Sequence, residues 1–113
     1  MLYLLAMALA PQQADLTLDR MIRCQSLHEI WQWDEHDAGR KVPKDDEWFI
    51  PFHRKLLAAA EAAGIGYEEV ARRSNALSAS FRPHLNAEQQ ADWKQCQAET
   101  GWKPNANGET YDI

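Results

Sequence analysis

Three potential metal ligands, Cys24, His28 and His36, are spaced so that they could line one face of a helix. Cys24, His28, Gln32 and His36 follow one another at intervals of four residues. Because a helix rises about 1.5 Å per residue, Cys24 and His36 would lie about 18 Å apart and could not bind the same ion. A zinc site would therefore use Cys24 and His28 together with Cys96 and one distant ligand. Metal binding through these three residues is one alternative function.

A thiol next to an imidazole could also act as a nucleophile, since a thiolate needs a nearby base. Both cysteines, however, fall on helix faces that we predict to be buried. The sequence also has no glycine-rich phosphate loop, Gly-x-Ser-x-Gly turn, His-Glu-x-x-His pair or acidic calcium loop. We therefore expect neither catalysis nor a bound cofactor.

The two cysteines, Cys24 and Cys96, are far apart in the sequence. They could be free thiols in a cytosolic protein or one disulfide in an oxidising compartment. The apolar pattern places them on inward faces of the first and last predicted helices. A bridge closing so long a loop would stabilise the fold by about 4 kcal/mol. We predict that the disulfide forms.

The elements that must position these residues are predicted to be four helices. The first is capped by Asp15 or Thr17, runs to about His36 and turns Cys24 inward. The second begins near Asp45 or Asp46 and ends at Ala63, before Gly64. Pro51 within that span favours a break, with the regular helix starting at the proline.

The third helix is predicted from Tyr67 to about Phe81. The fourth has a capping-box start at Asn86 and Gln89 and ends at Gly101. Its inward face includes Trp93, one turn before Cys96. The sequence therefore predicts an all-α domain resembling a four-helix bundle over residues 15–101, followed by a poorly ordered tail at 102–113.

Residues 1–14 begin with ten apolar positions and then turn abruptly polar at Pro11. This pattern resembles a secretory signal peptide, and the apolar run is too short to span a membrane. We expect a periplasmic or secreted protein. In the cytoplasmic alternative the segment would be a short helix packed on the domain.

Five tryptophans in 113 residues are unusual, and we expect most of them to supply core area. Trp33, Trp48, Phe49 and Phe52 cannot all lie on one narrow helical stripe. Either some of them form an exposed partner-binding surface, or the loop folds back and buries them as a lid. The net charge of −5 and the pI of about 5.3 disfavour nucleic acid as the partner.

Two helix starts, Leu85-Asn86-Ala87-Glu88-Gln89 and Leu16-Thr17-Leu18-Asp19-Arg20, share a short pattern. They resemble the Leu-Thr-x-x-Gln starts of small periplasmic stress chaperones and metal-responsive sensors of the Spy and Cpx type. The resemblance covers ten residues and implies an exported helical protein that binds client proteins.

Taken with the composition, these patterns predict a small exported helical protein that acts by binding another protein. The first alternative is the metal-binding protein with Cys24, His28 and Cys96 as ligands. The second is an accessory subunit of a larger assembly, which would expose the aromatic residues between Trp48 and Phe52.

Overall fold

Four α-helices make up 68% of the residues that the computed structural model describes, which are residues 16–112. In chain order they are α1 (Leu18–Asp37), α2 (Asp46–Ala62), α3 (Tyr67–Phe81) and α4 (Ala87–Thr100). Within the described range, β-pairing is limited to one isolated bridge, between Pro43 and Thr110. Helix α1 packs against α3 and α4 and also contacts α2. The predicted all-α, four-helix fold is confirmed.

Helix α1 is capped by Thr17, one of its two predicted caps. The Thr17 hydroxyl accepts a hydrogen bond from the Arg20 N–H at 3.1 Å, which satisfies one of the free donors of the first turn. Both Cys24 and His28 are buried on the inward face, as the apolar pattern predicts. The buried residues of α1 are Met21, Ile22, Cys24, Ser26, Leu27, His28 and Ile30.

Helix α2 continues through Pro51, where the sequence favours a break. It begins directly after Asp45, whose carbonyl accepts hydrogen bonds from the N–H groups of Trp48 and Phe49. A proline at this position lacks the N–H that would bond to the carbonyl of Glu47. Pro51 is exposed, so water can reach that carbonyl and the helix tolerates the missing bond. The expected start of the helix at the proline is therefore wrong.

Helices α3 and α4 have the predicted bounds. The Asn86 side chain accepts from the Gln89 N–H at 2.8 Å, and the Gln89 side chain accepts from the Asn86 N–H at 2.9 Å. This reciprocal pair is the predicted capping box. At the other end of α4, Gly101 has a left-handed φ of 68°, which glycine adopts without steric cost.

A disulfide between Cys24 and Cys96 joins α1 to α4, as predicted. Their Cα atoms are 5.6 Å apart and neither residue is exposed to solvent. Trp93, one turn before Cys96, is also buried in the core, as its position on α4 predicts. The crosslink therefore lies inside the packed interface between the first and last helices.

The chain after α4 folds back onto the loop between α1 and α2. Lys44 donates its N–H to the carbonyl of Glu109, and its own carbonyl accepts from the Asn105 N–H, both at 2.8 Å. The Tyr111 N–H donates to the carbonyl of Val42, also at 2.8 Å. The segment that we expect to be a poorly ordered tail is thus tied to this loop by backbone hydrogen bonds over most of its length. The loop supplies free backbone groups that no helix uses, which is why the tail can pair with it.

The signal-peptide-like segment at residues 1–14 and the second candidate cap, Asp15, lie outside the described residues. None of the helices in residues 16–112 is both long enough and apolar enough to cross a membrane.

Candidate functional site

The four aromatic residues predicted to bind a partner are divided between the surface and the core. Trp33 on α1 is 46% exposed, whereas Trp48 and Phe52 on α2 are only 8% and 7% exposed. Phe49 is partly buried. The rings of Trp48 and Phe52 stack with their centroids 5.0 Å apart. Trp33 is therefore the exposed member of the four, and Phe49 keeps part of its surface accessible.

His28 lies among aromatic rings and is only 4% exposed. Its ring centroid is 5.1 Å from that of Trp48, 5.4 Å from that of Trp93 and 5.6 Å from that of Phe49. The ring of Trp31 is also close, with centroids 6.1 Å apart. Four of the five tryptophans belong to this aromatic core: Trp31, Trp48, Trp93 and Trp102. The core role expected for most of the tryptophans is therefore confirmed.

A fully buried carboxylate, that of Asp45, connects this core to the tail. His28 Nε2 lies 2.6 Å from Oδ2 of Asp45, and Trp102 Nε1 donates to the same oxygen at 2.8 Å. The Tyr111 hydroxyl donates to Oδ1 at 3.1 Å. An ionised carboxylate can only accept hydrogen bonds, so His28 carries a proton on Nε2 in this arrangement. The three donors satisfy both oxygens of a side chain that has no access to water.

The surroundings of Asp45 fix its charge. Burial alone would raise the pKa of Asp45, but the hydrogen bond and charge of His28, with the bonds from Trp102 and Tyr111, bring it below its ordinary value of 3.8. Burial also raises the pKa of Tyr111, and the nearby charge of Asp45 acts in the same direction. At neutral pH, Asp45 is therefore an anion and Tyr111 a neutral hydroxyl donor.

A cleft of about 580 Å³ opens above this network, and we call it the Trp33 cleft. His28 and Asp45 lie in its lining, where their mutual hydrogen bond fixes them, and Trp33 and Phe49 supply its apolar surface. The full lining is Gln25, His28, Glu29, Gln32, Trp33, Asp45, Phe49, Tyr111 and Asp112. The cleft thus combines aromatic surface with polar groups held in fixed positions, which is the usual make-up of a binding site.

A second cavity, of about 680 Å³, lies between the start of α1, helix α2 and the end of α4. Trp48 and Phe52 line it, so the four predicted partner-binding residues are shared between the two cavities. Its charged lining residues are of both signs: Glu47, Lys55, Glu99 and Lys103. Because these charges offset one another, this cavity has less electrostatic preference for a ligand than the Trp33 cleft.

The residues of the metal-binding alternative do not form a ligand set in this structure. Cys24 and Cys96 are bonded to each other, so neither sulfur is available as a thiolate ligand or nucleophile in this form. His36, at the far end of the predicted stripe, packs its ring edge-on against Trp33 with centroids 5.9 Å apart. Across residues 16–112, no three side chains of His, Cys, Asp or Glu are grouped so that they could hold a metal ion.

Sequence reasoning missed three members of the site: Asp45, Trp102 and Tyr111. It considered Asp45 only as a possible start of α2, and it placed the other two in the tail. One signal could have found them, since Trp102 and Tyr111 are large aromatic residues in an otherwise polar segment. Such residues usually bury their rings and seek a partner for their N–H or O–H.

Comparisons with protein-family models, with curated proteins and with solved structures found no match to this chain. The helix-start pattern of the Spy and Cpx type is thus not accompanied by a match over the chain. We therefore infer the function from the residues and geometry of the Trp33 cleft.

Proposed function

We propose that this protein is an exported binding module that recognises another protein through the Trp33 cleft. The observation that carries the proposal is the exposed ring of Trp33 beside Phe49, at an open cleft. Tryptophan is enriched among the residues that dominate protein interfaces, especially where the ring can enter or border a pocket. The buried pair of His28 and Asp45 fixes part of the lining before a partner arrives, which reduces the entropic cost of binding.

Binding is favoured over covalent catalysis by what lines the cleft. His28 is an imidazole oriented by a carboxylate, an arrangement that some enzymes use to activate a nucleophile. None of the described lining residues, however, is a Ser, Thr or Cys that it could activate. An oriented imidazole in a cleft without such a nucleophile is better suited to hydrogen-bonding a ligand.

Export is supported by two independent features. A disulfide such as that between Cys24 and Cys96 persists in oxidising compartments, and residues 1–14 have the pattern of a signal peptide. The mass of the native protein tests this part of the proposal. We expect a chain that has lost its first residues and is lighter by a further two hydrogens for the crosslink. A full-length chain with two free thiols would instead indicate the cytoplasm.

Site-specific photocrosslinking in the producing cell tests the binding function. Trp33 is replaced by a photoreactive phenylalanine, and the matched control places the same residue at Tyr67, which is 68% exposed on α3. We expect a discrete protein adduct from position 33 that position 67 does not give. No adduct at position 33, or the same adducts at both positions, would contradict the proposal.

Affinity for the captured protein gives the quantitative test. Trp33→Ala and Tyr67→Ala both remove exposed rings, so each should change the free energy of unfolding by no more than about 0.5 kcal/mol. Loss of an interface tryptophan costs about 2 kcal/mol or more in binding. We therefore expect Trp33→Ala to weaken the complex at least about 30-fold, with no change for Tyr67→Ala.

A further inference from the structure

Three acidic side chains line the Trp33 cleft, and the basic residue among the described lining residues is His28. Glu29, Asp45 and Asp112 are lining residues, and none of the described lining residues is Lys or Arg. The chain as a whole has a formal charge of −5. A cleft with carboxylates and low-dielectric aromatic walls concentrates this negative field. The field therefore favours a cation as the occupant.

Some polar groups of the cleft are already used by the protein and others are free. Glu29 accepts from the Ser78 hydroxyl at 2.7 Å and from Arg82 at 3.3 Å. Asp112, by contrast, lines the cleft and has no salt-bridge partner among the described residues. His28 bonds to the protein through Nε2 alone within the described part of the chain. The His28 side chain lines the cleft and is more than nine-tenths buried, so its ring presents a fixed surface there.

The aromatic surface of the cleft is of the kind that binds cations. The face of a tryptophan ring attracts an ammonium or guanidinium group more strongly than the other aromatic rings do. Trp33 meets His36 edge-on, and the cation–π contact found among the described residues is Arg23 over Phe81, at 5.2 Å. In residues 16–112 no cation of the chain itself therefore occupies the ring of Trp33.

We infer that the Trp33 cleft binds a lysine or arginine side chain of the partner protein, an inference that rests on the proposed function. The cation packs against Trp33 and donates a hydrogen bond to the carboxylate of Asp112. A purely apolar side chain would cover the carboxylate of Asp112 without pairing it, which costs binding energy. An acidic side chain would be repelled by the carboxylates.

Short peptides with one basic residue test this chemistry directly on the full folded chain. The probes are acetyl-Gly-Arg-Gly-amide and acetyl-Gly-Lys-Gly-amide, and the matched neutral controls carry citrulline and Nε-acetyl-lysine. Binding is followed by NMR through the indole N–H of Trp33 and the imidazole nitrogens of His28. We expect saturable shifts at both residues with the charged probes, and binding about fivefold weaker or more with the neutral ones.

Variants identify the groups that bind the cation. Asp112→Asn removes one charge from the cleft and should weaken the arginine probe about threefold. Asp37→Asn removes an exposed charge that does not line the cleft, and should leave the affinity unchanged. Trp33→Leu keeps an apolar side chain but removes the ring, and should abolish most of the difference between arginine and citrulline. Unchanged His28 signals in the free variants show that the cleft itself is intact.

Several results would overturn the inference. Equal binding of charged and neutral probes would show that the cleft does not recognise a positive charge. Shifts that map outside the cleft would show that the probes bind elsewhere. Tighter binding of free agmatine than of the arginine peptide would indicate that the natural ligand is a small amine and not a side chain of a partner protein. If a protein is captured at position 33 but the basic probes do not bind, the cleft does not recognise a cation. The proposed protein-binding function would still be supported. Probe binding without any captured protein would reject the partner instead.

Discussion

His28 on α1 and Asp45, the residue before α2, form a buried hydrogen-bonded pair with Nε2 and Oδ2 2.6 Å apart. Their side chains are 5% and 0% exposed. Trp102 and Tyr111 from the tail bond to the same carboxylate. One polar group thus connects the first helix, the following loop and the end of the chain. Because the pair also lines the Trp33 cleft, the shape of the cleft depends on the same bonds that stabilise the fold.

Asp45→Asn should destabilise the protein strongly. Asparagine replaces one acceptor oxygen by an N–H donor, so at least one of the three buried donors to Asp45 loses its partner, which costs about 2 kcal/mol. Urea unfolding followed by tryptophan fluorescence measures the loss. Asp37→Asn, at an exposed position at the end of α1, is the matched control and should change stability by less than about 0.5 kcal/mol. Equal effects of the two variants would show that the buried network contributes little.

Stability should fall in acid because of Asp45. A carboxyl group whose pKa is lower in the folded than in the unfolded chain stabilises the fold above its unfolded pKa. That contribution is lost as the pH falls through the lower, folded value. The pKa of Asp45 lies below 3.8, so its contribution is complete at neutral pH, begins to decline below about pH 4 and is lost as the pH falls through the folded pKa. Unfolding free energies measured at a series of pH values should show this decline, and Asp45→Asn should flatten it.

Added salt should distinguish the contribution of the buried Asp45 to the free energy of unfolding from that of the surface residue Glu69. Hydrogen bonds from Arg72 and Arg73 lower the pKa of Glu69 to about 2, but its side chain is 36% exposed. The acid sensitivity due to Glu69 should therefore be largely screened in about 0.5 M NaCl. The difference between wild type and Asp45→Asn should persist at that salt concentration, since the pair is shielded from solvent ions. A network whose contribution vanished with salt would have to be accessible to water.

Removal of the disulfide should cost about 4 kcal/mol, because the 72-residue separation of its cysteines defines a long closed loop. Cys24→Ala and Cys96→Ala each break the same crosslink, so the double variant should be only slightly less stable than either single one. Urea unfolding with the three variants, and with reduced wild type, measures this. An unfolding midpoint that is insensitive to reductant would contradict a stabilising role for the crosslink.

Tyr111→Phe should loosen the tail while leaving the helices in place. It removes the hydroxyl that donates to Oδ1 of Asp45 at 3.1 Å and accepts from the Asp45 N–H at 3.5 Å, and it keeps the ring, so we expect a loss of about 1 kcal/mol. Hydrogen exchange should become faster at the backbone N–H of residue 111, which bonds to Val42. Tyr67→Phe, which alters an exposed hydroxyl on α3, provides the comparison and should change neither quantity. Unchanged exchange in Tyr111→Phe would mean that the backbone bonds alone hold the tail.

Helix ends and the inward helix faces followed from the sequence because both depend on residues a few positions apart. The capping box of Asn86 and Gln89 and the left-handed Gly101 act within one or two turns of α4. The apolar pattern that turned Cys24 and Cys96 inward likewise repeats every three or four residues. Two buried sulfurs on the first and last helices then had one another as the natural partner.

The site was decided by tertiary structure, because its members come from distant parts of the chain. Asp45 meets His28 across 17 residues and Tyr111 across 66, and no local pattern encodes either contact. Which aromatic residues stayed exposed was settled in the same way. Helix α2 continues through Pro51 and Trp48 is buried in the core, whereas Trp33 lies at the surface. Short-range hydrogen bonding and periodicity set the helices, whereas the packing of the helices and the return of the tail brought the cleft together.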